Sequence, residues 1–201
     1  RSIGAAILVA LVLRLVFGLV YWVGKPMTQD EDEYLLLARS LARGDGFVYG
    51  DELQAGQRAR VGRVPGYPLF IALVTPGLAR GEMPREVPTA LKVAQAFAGA
   101  VAVWLIAVIA RRTAGEAAAI WAAWLAAAYP PLIWMCAYAL SETAYSVIVL
   151  GTVVCLSRVT DTPADDVPSR HVASAFSAGV LTGIATLTRA GTLFILPLAC
   201  L

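Results

Sequence analysis

Residues 3–23 read IGAAILVALVLRLVFGLVYWV, and this run decides the class of the fold. About twenty apolar residues rising 1.5 Å each make a helix of roughly 30 Å, the thickness of a bilayer's hydrocarbon core. Arg14 is its one charge. A guanidinium at mid-span is costly in hydrocarbon, so Arg14 is expected to face protein, water or a lipid phosphate. No A-x-A-like cleavage site follows, and the run passes directly into Gly24-Lys25-Pro26. It therefore reads as a retained span and not as a signal peptide.

The rest of the 201-residue chain repeats the pattern. Residues of the AVILMFWYC class make up 59% and charged residues 15%, against about a quarter charged in a soluble domain. Nine of the 14 acids fall between Gly24 and Glu86, so one polar insert interrupts long apolar runs. The composition predicts an all-α polytopic membrane bundle, a single module over residues 1–201. Its spans are expected at about 3–23, 87–110, 116–129, 139–156 and 172–187, with an unfinished sixth at 192–201. The net charge of +2 comes from scattered arginines, so no basic stripe points to nucleic acid. Cys136, Cys155 and Cys200 lack CxxC spacing, His171 stands alone among the acids of its own loop, and Gly44-Asp45-Gly46 is too short for a phosphate-binding loop.

Within the insert, residues 24–86, a helix start is legible. Thr28-Gln29-Asp30-Glu31 fits a capping box, Tyr34, Leu37, Ala38 and Leu41 repeat at helical spacing, and Gly44 is a stop. This predicts a short amphipathic helix lying at the membrane surface. Residues 47–63 read as irregular loop. Pro65-Gly66-Tyr67-Pro68 then opens an apolar stretch, residues 69–78, too short to span and expected to be interfacial or re-entrant. The short Arg111-Arg112 turn is the best positive-inside marker and goes to the cytoplasm. By alternation the insert, the Pro130-Pro131 turn, Arg189 and the Glu142 end of its span share the external side.

The polar residues that are expensive to keep at a membrane thus converge on one face. Asp30 or a neighbouring acid is a candidate general base, although acids at a helix start are also favoured by the cap and the helix dipole. Arg58, Arg60 and Arg63 offer bidentate phosphate recognition, with Arg63 best placed before the rigid turn. Glu142 and Arg189 stand at span ends, where each either reaches water or lines a cavity. Gly179 and Gly183, four apart, offer a small-residue packing face.

Five of these features occur in a familiar order: a first span with Arg14, then Asp30-Glu31-x-x-Tyr34 with Leu37-Ala38-Arg39-Ser40-Leu41, then Arg63-Val64-Pro65-Gly66-Tyr67-Pro68-Leu69-Phe70, then Leu140-Ser141-Glu142-Thr143, then Leu187-Thr188-Arg189. Over nearly its whole length the chain resembles the amino-terminal half of the GT-C membrane glycosyltransferases, in the protein-mannosyltransferase and aminoarabinose-transferase-like branch. The resemblance implies a helical membrane bundle with two short surface helices in its first external loop. It implies transfer of a sugar, with inversion, from a polyprenyl-phosphate carrier to an acceptor hydroxyl on a protein, lipid or glycan. The setting would be the external, periplasmic side of a bacterial plasma membrane.

On that resemblance Asp30 is the catalytic carboxylate and Glu31 completes the Asp-Glu pair. Arg63, Tyr67, Glu142 and Arg189 fall on substrate-binding positions. Val64 and Ala190 stand where the family often has prolines. Some GT-C branches use a divalent metal, which paired acids such as Asp30 and Asp32 could hold; the chain resembles the metal-independent branch, so no metal ligand and no cofactor are assigned beyond the lipid-linked donor. A non-catalytic relative acting as a subunit of a larger membrane complex is the alternative. A transporter using Arg14, Glu142 and Arg189 as intramembrane charges explains the surface helix and the Pro-Gly-Tyr-Pro turn poorly.

Overall fold

The computed structural model describes residues 2–49, 62–160 and 169–194. Arg58, Arg60, Cys200, residues 161–168 of the 158–171 connector and most of the apolar run at 192–201 lie outside the described residues. Among those described, every regular element is helical.

Helix α1 (Ser2–Val16) widens into a π-helical turn (Phe17–Tyr21), which closes with Trp22 N–H donating to the Phe17 carbonyl at 2.7 Å. Lys92 then donates its ammonium to the Trp22 carbonyl at 2.7 Å, satisfying an oxygen that the helix end leaves bare. In the insert come α2 (Gln29–Arg43), α3 (Gly66–Val74) and a 3₁₀ turn (Pro76–Ala79). Glu86 ties the insert's two ends together by accepting from Gly24 N–H at 2.7 Å. Then follow α4 (Thr89–Ala128), the short α5 (Pro130–Trp134), a 3₁₀ turn (Met135–Ala137), α6 (Glu142–Thr160), α7 (Ser169–Thr188) and a last 3₁₀ turn (Ala190–Phe194). Among the described residues four helices are long and apolar enough to cross a membrane: Ser2–Tyr21, Thr89–Ala128, Glu142–Val159 and His171–Thr188.

Helix α4 does not run straight. Gly115 sits at φ 84° and ψ −175°, backbone angles open to glycine alone, and there the chain doubles back. Val103 and Ala107 of the first limb share one buried cluster with Ala123, Ala126 and Ala127 of the second and with Ala6 and Ala10 of α1. Along a straight helix Val103 and Ala127 would stand about 36 Å apart. Alanine on all three faces lets the backbones approach closely. The sequence reads 116–129 as a full span, but residues 116–128 form a limb of only about 20 Å. Pro130 and Pro131 stop it, and α5 with its following turn carries the chain on, so that Ala137 reaches the level of Gly18 and Lys92.

Those two prolines explain Arg14. A helical carbonyl accepts from the N–H four residues on, and the residues four beyond Ala126 and Ala127 are Pro130 and Pro131, which have none. Arg14, 2% exposed, supplies the missing donors, Nη2 to Ala126 O at 3.4 Å and Nη1 to Ala127 O at 3.5 Å, with Ala10 O at 3.0 Å. Its charge also lies at the negative end of that limb's dipole.

Helix α2 departs from the surface-bound helix read from its sequence. Its apolar face does not dip into lipid. Tyr34, Leu35 and Ala38 are buried with Tyr67 and Ile71 of α3, Leu78, Val87, Leu91 and Ala139. The hydrophobic stripe is protein core, and α3, with Leu69 and Leu73 exposed, is the insert's more lipid-accessible helix.

A Cβ on Gly99 would stand 2.5 Å from Arg14 Nε and 2.8 Å from Cys136 Sγ. Gly99→Ala is therefore expected to push Arg14 off its carbonyls and cost about 1–3 kcal/mol, read as a lowered midpoint of thermal unfolding in detergent. An unchanged midpoint would remove Arg14 from this structural role.

Candidate functional site

The Thr28 capping box forms as its sequence predicts: Thr28 Oγ1 accepts Glu31 N–H at 3.4 Å, and Glu31 Oε2 accepts Thr28 N–H at 2.8 Å. The helix that starts there divides its four consecutive acids by face. Residues three and four apart share a side of a helix, whereas immediate neighbours do not. Asp30 and Glu33 therefore look one way, Glu31, Leu35 and Ala38 look into the core, and the Tyr34 ring, packed in the core, borders both.

Arg63 lies against the first face. Its Nε donates to Glu33 Oε2 at 2.9 Å, its Nη2 pairs with Asp30 Oδ1, and its guanidinium stacks over the Tyr34 ring at 4.9 Å. Burial weighs against the charge on Arg63, but the hydrogen bonds to Glu33 and Asp30 outweigh it and hold the guanidinium protonated more firmly than in a free arginine. Across a gap stands a second pair, Arg189 Nη1 donating to Glu142 Oε1 at 3.3 Å, with Arg189 also near the Tyr145 ring at 5.8 Å. Glu142 Oε2 is buried without a partner. Between the pairs is a pocket of about 240 Å³ lined by Asp30, Tyr34, Arg63, Glu142, Thr188 and Arg189 among others.

Two close contacts hold the walls. Gly66, at the start of α3, lies so near the end of α7 that a Cβ there would be 2.6 Å from the Leu187 carbonyl oxygen. The Arg63 segment is thereby pressed against the helix end that carries Arg189. From the other side, Glu31 Oε1 accepts Ala139 N–H at 2.9 Å, joining α2 to the backbone just before Glu142.

The structure thus brings Asp30, Arg63, Glu142 and Arg189 to one pocket, and it does not bring Glu31 or Tyr67 there. Glu31, expected as the second catalytic acid, is 2% exposed, and both its oxygens are engaged, by Ala139 N–H and by Thr28. It can position but cannot meet a substrate. Tyr67, expected at a substrate position, is fully buried; its hydroxyl donates to Gln95 Oε1 at 3.0 Å and its ring meets Tyr34 edge-on. Burial pushes its phenol well above the usual range, so it stays neutral.

Sequence reading missed Glu33 as Arg63's second partner, Tyr34 as its platform, and Gln95. For Gln95 a signal existed, a lone amide inside a long apolar run. Gln95 Nε2 donates to the carbonyls of Cys136 and Tyr138 at 3.2 and 2.6 Å. Among the described residues no three His, Cys, Asp or Glu side chains gather as a metal site. Compared with protein-family models, curated proteins and solved structures, the chain matches none.

The two neighbouring acids predict opposite stability effects. Asp30→Asn loosens a half-exposed ion pair and is expected to change unfolding free energy by at most about 1 kcal/mol. Glu31→Gln sets an amide nitrogen against donors in the core and should cost about 1–3 kcal/mol or more. Chemical or thermal unfolding of both variants side by side checks this, and equal losses would contradict the division of roles.

Proposed function

We propose that the chain is a membrane glycosyltransferase module of the GT-C type. It transfers a sugar from a polyprenyl-phosphate-linked donor to an acceptor hydroxyl at the external face of a bacterial plasma membrane. The observation that carries the reading is the pocket itself, where two acids and two guanidinium groups from α2, the segment before α3, α6 and the end of α7 meet.

The chemistry follows from what each group can do. The acceptor oxygen bonds to the anomeric carbon from the face opposite the phosphate, and the bond between that carbon and the phosphate oxygen breaks, which inverts the centre. The acceptor hydroxyl needs a base, and Asp30, the more exposed of the two pocket carboxylates at 57%, takes its proton. The departing lipid phosphate keeps the electron pair. It needs no strong acid, because Arg63 and Arg189 face the charge it develops. Glu142 orients Arg189 through Oε1. No metal or cofactor enters this scheme. Polyprenyl-phosphate sugar, membrane lipid and an acceptor protein, lipid or glycan are the partners it requires.

One observation favours the second reading, a non-catalytic subunit of a membrane complex: both pocket acids are already paired with arginines, so the Asp30 oxygen that Arg63 holds is occupied. Turnover separates the two. In proteoliposomes supplied with polyprenyl-phosphate sugars, Asp30→Asn is expected to reduce transfer by about 10²–10⁴-fold, and Arg189→Ala by about 10²–10³-fold. No transfer by the wild-type chain would favour the non-catalytic subunit, and wild-type rates in the Asp30→Asn variant would reject Asp30 as the base.

A further inference from the structure

Arg63 is held by two carboxylates in unequal surroundings. Glu33 takes Nε and is 27% exposed, off the pocket; Asp30 takes Nη2, is 57% exposed and lines it. The Tyr34 ring supports the guanidinium beside both contacts. The Glu33 contact is therefore the sheltered one, and the Asp30 contact is open to whatever anion enters. A phosphate offers guanidinium a charge-assisted bond at least as good as the one it displaces, and an exposed ion pair resists exchange weakly.

We propose that Glu33 is a positioning residue: it keeps Arg63 in place while Nη2 passes from Asp30 to the phosphate of the arriving donor. Asp30 is then masked in the empty pocket and is released to act as a base only when the donor has bound. The inference rests on the function proposed above and removes its one difficulty, the pairing of the base with an arginine. Donor binding therefore frees the Asp30 oxygen that Arg63 held and leaves it open to the acceptor hydroxyl, and the acceptor is activated second. The two acids on one turn of α2 have opposite effects on phosphate binding: Asp30 competes with it and Glu33 supports it.

Farnesyl phosphate is the probe, titrated by calorimetry into the full chain in detergent or nanodiscs. Asp30→Asn removes the competitor and is expected to bind about two- to fivefold more tightly than wild type. Glu33→Ala is expected to bind about tenfold more weakly. Glu33→Gln, which keeps an oxygen for Nε, should recover most of that loss. If Asp30→Asn binds no more tightly, or Glu33→Ala tightens binding as a simple loss of negative charge would, the exchange is overturned while the phosphate pocket stands. If neither wild type nor Asp30→Asn binds the probe, the pocket is not a lipid-phosphate site and the proposed function falls with the exchange.

Discussion

Irregular backbone buried at one end of a helical bundle must have its polar groups satisfied from within, and the structure depends on that constraint being met between Tyr129 and Ser141. Where that backbone is buried, each bare N–H or carbonyl costs several kcal/mol. Three buried polar side chains from three elements meet the need. Arg14 of α1 serves the carbonyls that Pro130 and Pro131 leave without donors. Gln95 of α4 serves the Cys136 and Tyr138 carbonyls, and Glu31 of α2 serves the Ala139 N–H. Each lies in a hydrophobic setting, where a lone polar group would be destabilising, and each is stable because the segment offers it partners.

The same three contacts position the pocket. The segment they hold leads into Glu142, and Glu31 fastens to it the helix that carries Asp30 one residue earlier. Gly66 closes the remaining side by letting the start of α3 touch the end of α7. The floor of the site is thus made of buried hydrogen bonds, expensive to break, and its walls of half-exposed ion pairs, cheap to rearrange. That division suits a pocket for a charged ligand: the guanidinium groups stay where they are, while their carboxylate partners are open to replacement.

Much of the bundle was legible from hydrophobic periodicity, and the capping box at Thr28 and the stop at Gly44 were legible from local backbone chemistry. The gathering of Asp30, Arg63, Glu142 and Arg189 followed from alternation of spans, because four costly groups placed on one side have few places to go. Other features needed tertiary information. Glu31 reads as a partner of Asp30 in the sequence, yet neighbours on a helix point about 100° apart, and only the core decides which of them turns inward. That Arg14 would face protein, water or a lipid phosphate was expected, but the two carbonyls that choose protein lie more than a hundred residues away. The apolar stripe of α2 reads the same whether lipid or α3 covers it, and hydrophobicity alone does not distinguish these. The shortness of the limb after Gly115 was hidden because Pro130-Pro131 looks like the end of a span at any depth.

The central claim is geometric, that one pocket presents Arg63 and Arg189 together to a single lipid phosphate. Electron cryomicroscopy of the full chain in nanodiscs with farnesyl phosphate tests it most directly. The account predicts phosphate density between the two guanidinium groups, with the Arg63–Glu33 contact kept and Asp30 turned free. Phosphate density elsewhere on the molecule, or Arg63 and Arg189 found at opposite membrane faces, would contradict it.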